Sequence, residues 1–113
     1  MPERRTTPRK RFDYYLRVDD DNTQRILGHM VQVSATGLQL ETTAPLLPQK
    51  DHYLRLELTA ELADHPFIIF LARTKWCKTD DIHPNLYHVG FEILEISPED
   101  HEIIMRIITK YGS

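Results

Sequence analysis

Five basic side chains crowd the first eleven residues: Arg4, Arg5, Arg9, Lys10 and Arg11. Guanidinium groups match phosphate oxygens two bonds at a time and stack on base faces. Further along, residues 30–40 read MVQVSATGLQL. Two runs of alternating polarity flank the small residues Ser34-Ala35-Thr36-Gly37, a period of two that reads as strand, turn, strand. Val31 and Val33 are expected on one face of the first run, Leu38 and Leu40 on one face of the second. Ser34 sets a small hydroxyl at the lip of the turn. Gly37 marks a place needing either a positive φ or a close backbone approach. A fork of arginines beside a small polar turn on a sheet is equipment for holding an anion or a nucleotide.

The same inventory speaks against chemistry. Ser34 is not in a G-x-S-x-G elbow, and no histidine or acid is placed by sequence to activate it. Cys77 beside Lys78 reads as a small residue at a strand end rather than a reactive thiol. The histidines (His29, His52, His65, His83, His88, His101) form no H-x-H or H-E-x-x-H pair, and one cysteine cannot supply a zinc set. Asp19 and Asp21 resemble the start of a calcium loop, but Gln24 stands where its glycine is needed and Met30 where its glutamate is needed. No phosphate-cradling P-loop is present. The sequence therefore predicts no catalytic residues, no metal and no cofactor.

The elements that must position these residues follow from periodicity. Residues 1–11 carry two prolines and no period, and read as a flexible basic arm. A single domain is expected over 12–113. Strands are expected at 12–18, 25–33 with Gly28 at a bulge, 37–42, 52–62, 67–78 and 86–96. Leu54, Leu56 and Leu58 should share the buried face of the fourth. The period then changes. Ser97 is an N-cap, Pro98 stands at the first helical position, and Glu99 and Asp100 fill the first turn. Ile103, Ile104, Ile107, Ile108 and Tyr111 recur at three and four, giving an amphipathic helix over 98–111. Six strands and one helix with an apolar stripe imply an antiparallel barrel, closed or nearly so, under a helical lid.

The length of 113 residues suits one domain with a core of its own, and 41% apolar with 27% charged residues is the balance of a soluble globule. A single cysteine allows no internal disulfide, and no apolar run approaches membrane-spanning length. The basic start is not followed by an apolar stretch, so it is not a secretory signal, and a cytoplasmic protein without membrane insertion is expected. Net charge is −3, yet residues 1–17 carry +4 and the remainder −7. A basic arm on an acidic body suits a local anion site and disfavours general nucleic-acid binding.

In their order and spacing these residues resemble the PilZ domain. The family is marked by R-x-x-x-R, matched by Arg5 and Arg9, and by [D/N]-x-S-x-x-G, matched at Ser34 and Gly37. A strand ending near Trp76, then Tyr87-His88-Val89-Gly90-Phe91 and Ser97-Pro98-Glu99-Asp100, fits as well, so the likeness spans nearly the whole chain. It implies a six-stranded β-barrel, all-β but for its C-terminal helix. It further implies a non-enzymatic signalling receptor for the bacterial messenger cyclic di-GMP. Arg5 and Arg9 would grip the phosphates, with Arg4 as a third fork. Ser34 and Gly37 would hold a guanine edge. Trp76 is a further candidate for contact with a base, its alternative being a half-buried core position. The arm would close on the ligand and alter the surface seen by a protein partner in motility, adhesion or exopolysaccharide export.

One position departs from the pattern. Gln32 stands where the family has Asp or Asn, and a neutral amide accepts less strongly than a carboxylate. The loss is worth about 1–2 kcal/mol, roughly tenfold in affinity. Two other readings stay open. One is a protein–protein adaptor with weak or no nucleotide binding. The other is a single-stranded nucleic-acid binder, which the acidic body disfavours.

Overall fold

Successive side chains of a strand point to opposite faces, so a run such as Gly37–Thr42 must bury Leu38 and Leu40 on one side and show Gln39 and Glu41 on the other. The computed structural model describes residues 16–111. Over them the chain forms β1 (Leu16–Asp20), β2 (Arg25–Val33), β3 (Gly37–Thr42), β4 (Asp51–Glu57), β5 (Phe67–Thr79), β6 (Tyr87–Glu95) and α1 (Pro98–Tyr111). All pairings are antiparallel, in the order β1-β2-β3-β6-β5-β4, and β4 pairs back onto β1 to close a barrel. Closure gives each described strand a neighbour on both sides.

The interior is filled by Val18, Met30, Leu40, Leu54, Leu56, Phe70, Ala72 and Val89, each 2% exposed or less. Ile103, Ile104 and Ile107 of α1 belong to the same cluster. A closed barrel admits a helix only at an end. The end in question holds the β2–β3 turn and the β4–β5 connection: His101 Nε2 lies 3.0 Å from the Ala35 carbonyl, and Arg106 Nη1 donates to the Leu62 carbonyl at 2.6 Å. The helix starts as its sequence dictates, with Ser97 Oγ accepting from the Asp100 N–H at 3.1 Å.

Several boundaries differ from the periodic reading. β4 stops at Glu57 rather than 62. Leu58 N donates to the Pro66 carbonyl and Leu62 N to the Thr59 carbonyl, so the chain turns and returns Leu62 to the core at 1% exposure. β1 overlaps the expected strand at 16–18 and runs on to Asp20, while residues 12–15 lie outside the described residues. Asp20 Oδ1 accepts from the Asn22 and Thr23 N–H groups, which turns the chain into β2. The bulge expected at Gly28 falls on its neighbour Leu27, since Val18 pairs with Gly28 and Asp19 with Ile26.

Candidate base-recognition site on the barrel wall

Two bulges aim the site. Strict alternation would send Gln32 inward after Met30, and Trp76 inward after Thr74. Instead the β2–β3 register shifts between Met30 and Gln32, leaving Val31 as the extra residue. The β5–β6 register shifts between Thr74 and Trp76, leaving Lys75 as the extra residue. A bulge inserts one residue and re-aims the side chains beyond it. Met30 and Thr74 are fully buried, whereas Trp76 is 39% exposed. The first bulge also alters the expected face of β2: Met30 joins the core cluster with Val33 packed against it, while Val31, the extra residue, is buried as well at 7% exposure.

The outward residues then fall into rows. Gln32 pairs with Gln39, Gln39 with Gly90, and Gly90 with Trp76, which crosses four strands of the wall. A Cβ at residue 90 would collide with Cε2, Nε1 and Cζ2 of the Trp76 indole. Only glycine there lets the ring lie across β6 toward Gln39. In the neighbouring row, Glu41 pairs with His88 and His88 with Lys78. Lys78 Nζ stands 5.6 Å from the centroid of the Trp76 ring, a cation–π distance. Together these groups enclose an open cleft of about 340 Å³ lined by Gln32, Gln39, Trp76, Lys78, Asp80 and His88 among others.

A hydrogen-bonded chain runs through the cleft. His88 Nε2 lies 2.7 Å from Asp80 Oδ1, and Gln39 Nε2 lies 3.1 Å from His88 Nδ1. Asp80 Oδ2 also accepts the Ile82 and His83 N–H groups at 3.0 and 2.9 Å. The His88 hydrogen bond, followed by those two backbone donors, holds the Asp80 carboxyl far below its ordinary value of 3.8. A depressed folded value means that the Asp80 anion stabilises the fold at pH above 3.8. That contribution is lost as pH falls below 3.8 toward the depressed value. Asp80→Asn is therefore expected to flatten part of the acid limb of stability. Urea melts of both proteins from about pH 6 to about pH 2 check this, and parallel acid limbs would refute it.

Ser34 and Gly37 do different work. Ser34 N donates to the Gly37 carbonyl at 2.8 Å, and Ser34 Oγ accepts from the Thr36 and Gly37 N–H groups at 3.3 and 3.2 Å. The hydroxyl thus shapes the β2–β3 turn. None of the described glycines has positive φ, and Gly37 is required by close approach, since a Cβ there would sit 2.5 Å from the Phe91 carbonyl oxygen. Ile93 N donates to the Thr36 carbonyl at 2.9 Å, tying the turn to β6.

Of the residues singled out in the sequence, Gln32 and Trp76 meet in the cleft. Ser34 and Gly37 lie on the same hairpin but do not line it. Arg4, Arg5 and Arg9 lie outside the described residues. Gln39, Lys78, Asp80 and His88 were not foreseen. The alternation Leu38-Gln39-Leu40 already puts Gln39 on the outer face, but its neighbours follow only from the pairing register. Among the described residues no helix is long and apolar enough to cross a membrane.

The described residues thus form a closed antiparallel barrel with one C-terminal helix at its end and a polar and aromatic cleft on its wall. The chain belongs to the PilZ domain family, whose model matches residues 3–110. No curated protein matches the chain. Among solved structures it is similar to the Bacillus subtilis inhibitor of motility MotI/DgrA, with TM-score 0.73 and 18% identity, covering 97% of this chain and 55% of that one. It is also similar to the PilZ domain of YcgR from Escherichia coli with c-di-GMP, with TM-score 0.68 and 14% identity, covering 97% and 92%. A third is the K. pneumonia MrkH–c-di-GMP complex, with TM-score 0.68 and 19% identity, covering 96% and 52%. The chain thus spans about half the length of the MotI and MrkH chains.

Proposed function

We propose that this PilZ domain is a receptor for cyclic di-GMP that works as a signalling adaptor and carries out no chemistry. The observation that carries the reading is the exposed Trp76 indole laid across Gly90 beside the paired amides of Gln32 and Gln39. An aromatic face bordered by hydrogen-bonding amides suits a purine base. The cleft itself holds Lys78 against Asp80 and Asp81, so it carries no surplus of positive charge for phosphates. That charge resides in Arg4, Arg5 and Arg9. Base recognition on the wall and phosphate recognition from the N-terminal segment divide the ligand between them.

The geometry of the wall permits this division. Leu16 of β1 pairs with Met30 of β2, so the described start of β1 lies one strand from Gln32. Arg9 precedes Leu16 by seven residue spacings, an extended reach of about 23 Å. By way of β2, β3 and β6, the strands that carry the cleft, β5 lies four strand spacings from β1, about 19 Å. Both Arg9 and Arg5 are long enough in reach to cover the cleft. Their closure over the ligand would change the surface offered to a protein partner in motility, adhesion or exopolysaccharide export, in a cytoplasmic setting. The change draws on the ligand's higher affinity for the closed form.

Titration calorimetry with cyclic di-GMP, read alongside Trp76 fluorescence, tests the reading. Saturable binding with a dissociation constant of about micromolar is expected, roughly −8 kcal/mol. Absence of heat and of fluorescence change up to about millimolar ligand would overturn it.

One feature favours a second reading, an adaptor with weak or no nucleotide binding. Gln32 occupies the cleft where the family pattern has Asp or Asn. If the receptor reading holds, Gln32→Asp adds charge to the acceptor and is expected to tighten binding about tenfold. Weaker binding in that variant would contradict an acceptor role for residue 32.

A further inference from the structure

Resting on the receptor reading, we infer that Lys78 is a further phosphate-contacting residue, held in the free protein as a cap on the Trp76 ring and released when a base takes its place. Trp76 and Lys78 are alternate residues of β5, so both side chains leave the same face of the strand. Gly90 lies against the indole along Cε2, Nε1 and Cζ2. The Lys78 ammonium lies over the ring, 5.6 Å from its centroid. It therefore stands over aromatic surface that a stacking base would need. The acids of the cleft do not draw it away. Asp80 Oδ1 lies 2.7 Å from His88 Nε2, and Oδ2 accepts the Ile82 and His83 N–H groups. Among the described residues the Lys78 ammonium faces the indole and makes no ion pair.

The two partners available to the ring differ in strength. A cation over an exposed aromatic ring is a weak contact, because water competes for the ammonium. A base stacked on the same ring is the stronger one. A purine base therefore displaces the cap. The displaced group keeps its charge and a flexible four-carbon stem, and the nucleotide brings a phosphate to receive it. Lys78 thus exchanges a neutral ring for an anion, and that ion pair adds to the stack. One ammonium is a point charge, so it supplements the arginine forks without replacing them. The exchange also selects the class of ligand. A neutral aromatic compound must remove the cap and offers it nothing in return, whereas a nucleotide carries both the base and the receiving anion.

Proton–carbon spectra of the wild-type lysine side chains, assigned through bonds and recorded without and with saturating cyclic di-GMP, test the exchange and need no variant. In the free protein the Lys78 ε-methylene protons are expected upfield of those of the other lysines, shifted by the ring current of the indole. Ligand is expected to return them to the position of the other lysines. Calorimetry adds the energetic measure. Lys78→Met keeps the length of the stem without its charge, and is expected to bind cyclic di-GMP about tenfold more weakly than wild type at about 0.1 M salt. The difference is expected to shrink as salt rises to about 0.5 M, because the lost contact is between charges. The melting temperature of the free variant controls for folding. Lys78 protons without an upfield shift in the free protein, protons that stay upfield in the complex, or binding by Lys78→Met as tight as wild type would overturn the inference while leaving the receptor reading intact. No binding by the wild-type protein would defeat the receptor reading itself.

Discussion

Arg5→Ala combined with Arg9→Ala is expected to weaken cyclic di-GMP binding by at least about a hundredfold. Each charge-assisted hydrogen bond is worth about 1.5–3 kcal/mol net, so two lost forks remove about 3–6 kcal/mol. Against a total of roughly −8 kcal/mol, that leaves little measurable binding. The size of the effect follows from how charge is distributed. The described cleft opposes Lys78 to Asp80 and Asp81 and has no other cation on its lining to take over the phosphates. Calorimetry on the double variant measures the loss, and the melting temperature without ligand controls for folding. Hydrogen exchange adds a second measure: residues 1–11 are expected to gain protection when ligand is added. A double variant that binds like wild type would remove the arginines from the site and with them the closing segment.

Ile104→Ala is expected to destabilise the protein by about 2–5 kcal/mol, the usual cost of emptying a fully buried aliphatic position. Ile104 is fully buried, and its neighbours Ile103 and Ile107 are 5% exposed or less. These three residues plug the barrel end against Leu62, whose carbonyl also accepts from Arg106. For a domain of this size, each kcal/mol lowers the melting temperature by about 4–8 °C, so a drop of about 10 °C or more is expected. Met105 lies on the same helix but is 39% exposed. Met105→Ala is expected to shift the transition by no more than about 0.5 kcal/mol. Equal effects from the two substitutions would mean that the helix does not plug the barrel. The contrast matters for function because α1 also holds the β2–β3 turn through His101 and Ala35.

Much of the architecture was legible because it repeats. Leu54 and Leu56, Leu38 and Leu40, and Ile103, Ile104 and Ile107 each announce one buried face by period alone. Ser97-Pro98-Glu99-Asp100 announces the helix start by capping chemistry. β2, β3 and the helix fall within the bounds their patterns set. The end of β4 was not legible. Leu58 and Leu62 continue an apolar pattern that suits a strand, and only the return of the chain from Pro66 shows that they belong to a turn.

The site divides along the same line. By its own chemistry the sequence determined the basic N-terminus, the small polar turn at Ser34 and Gly37, and the absence of a carboxylate at residue 32, because residue type and spacing are local properties. Tertiary structure alone decided that Gln32 and Trp76 face outward and meet across Gln39 and Gly90. Their orientation depends on the bulges at Val31 and Lys75, and a bulge is a mismatch between two strands, so neither strand's own period contains it. The Asp80–His88–Gln39 chain joins three elements for the same reason: pairing register sets which outward side chains become neighbours, and register is a relation between strands.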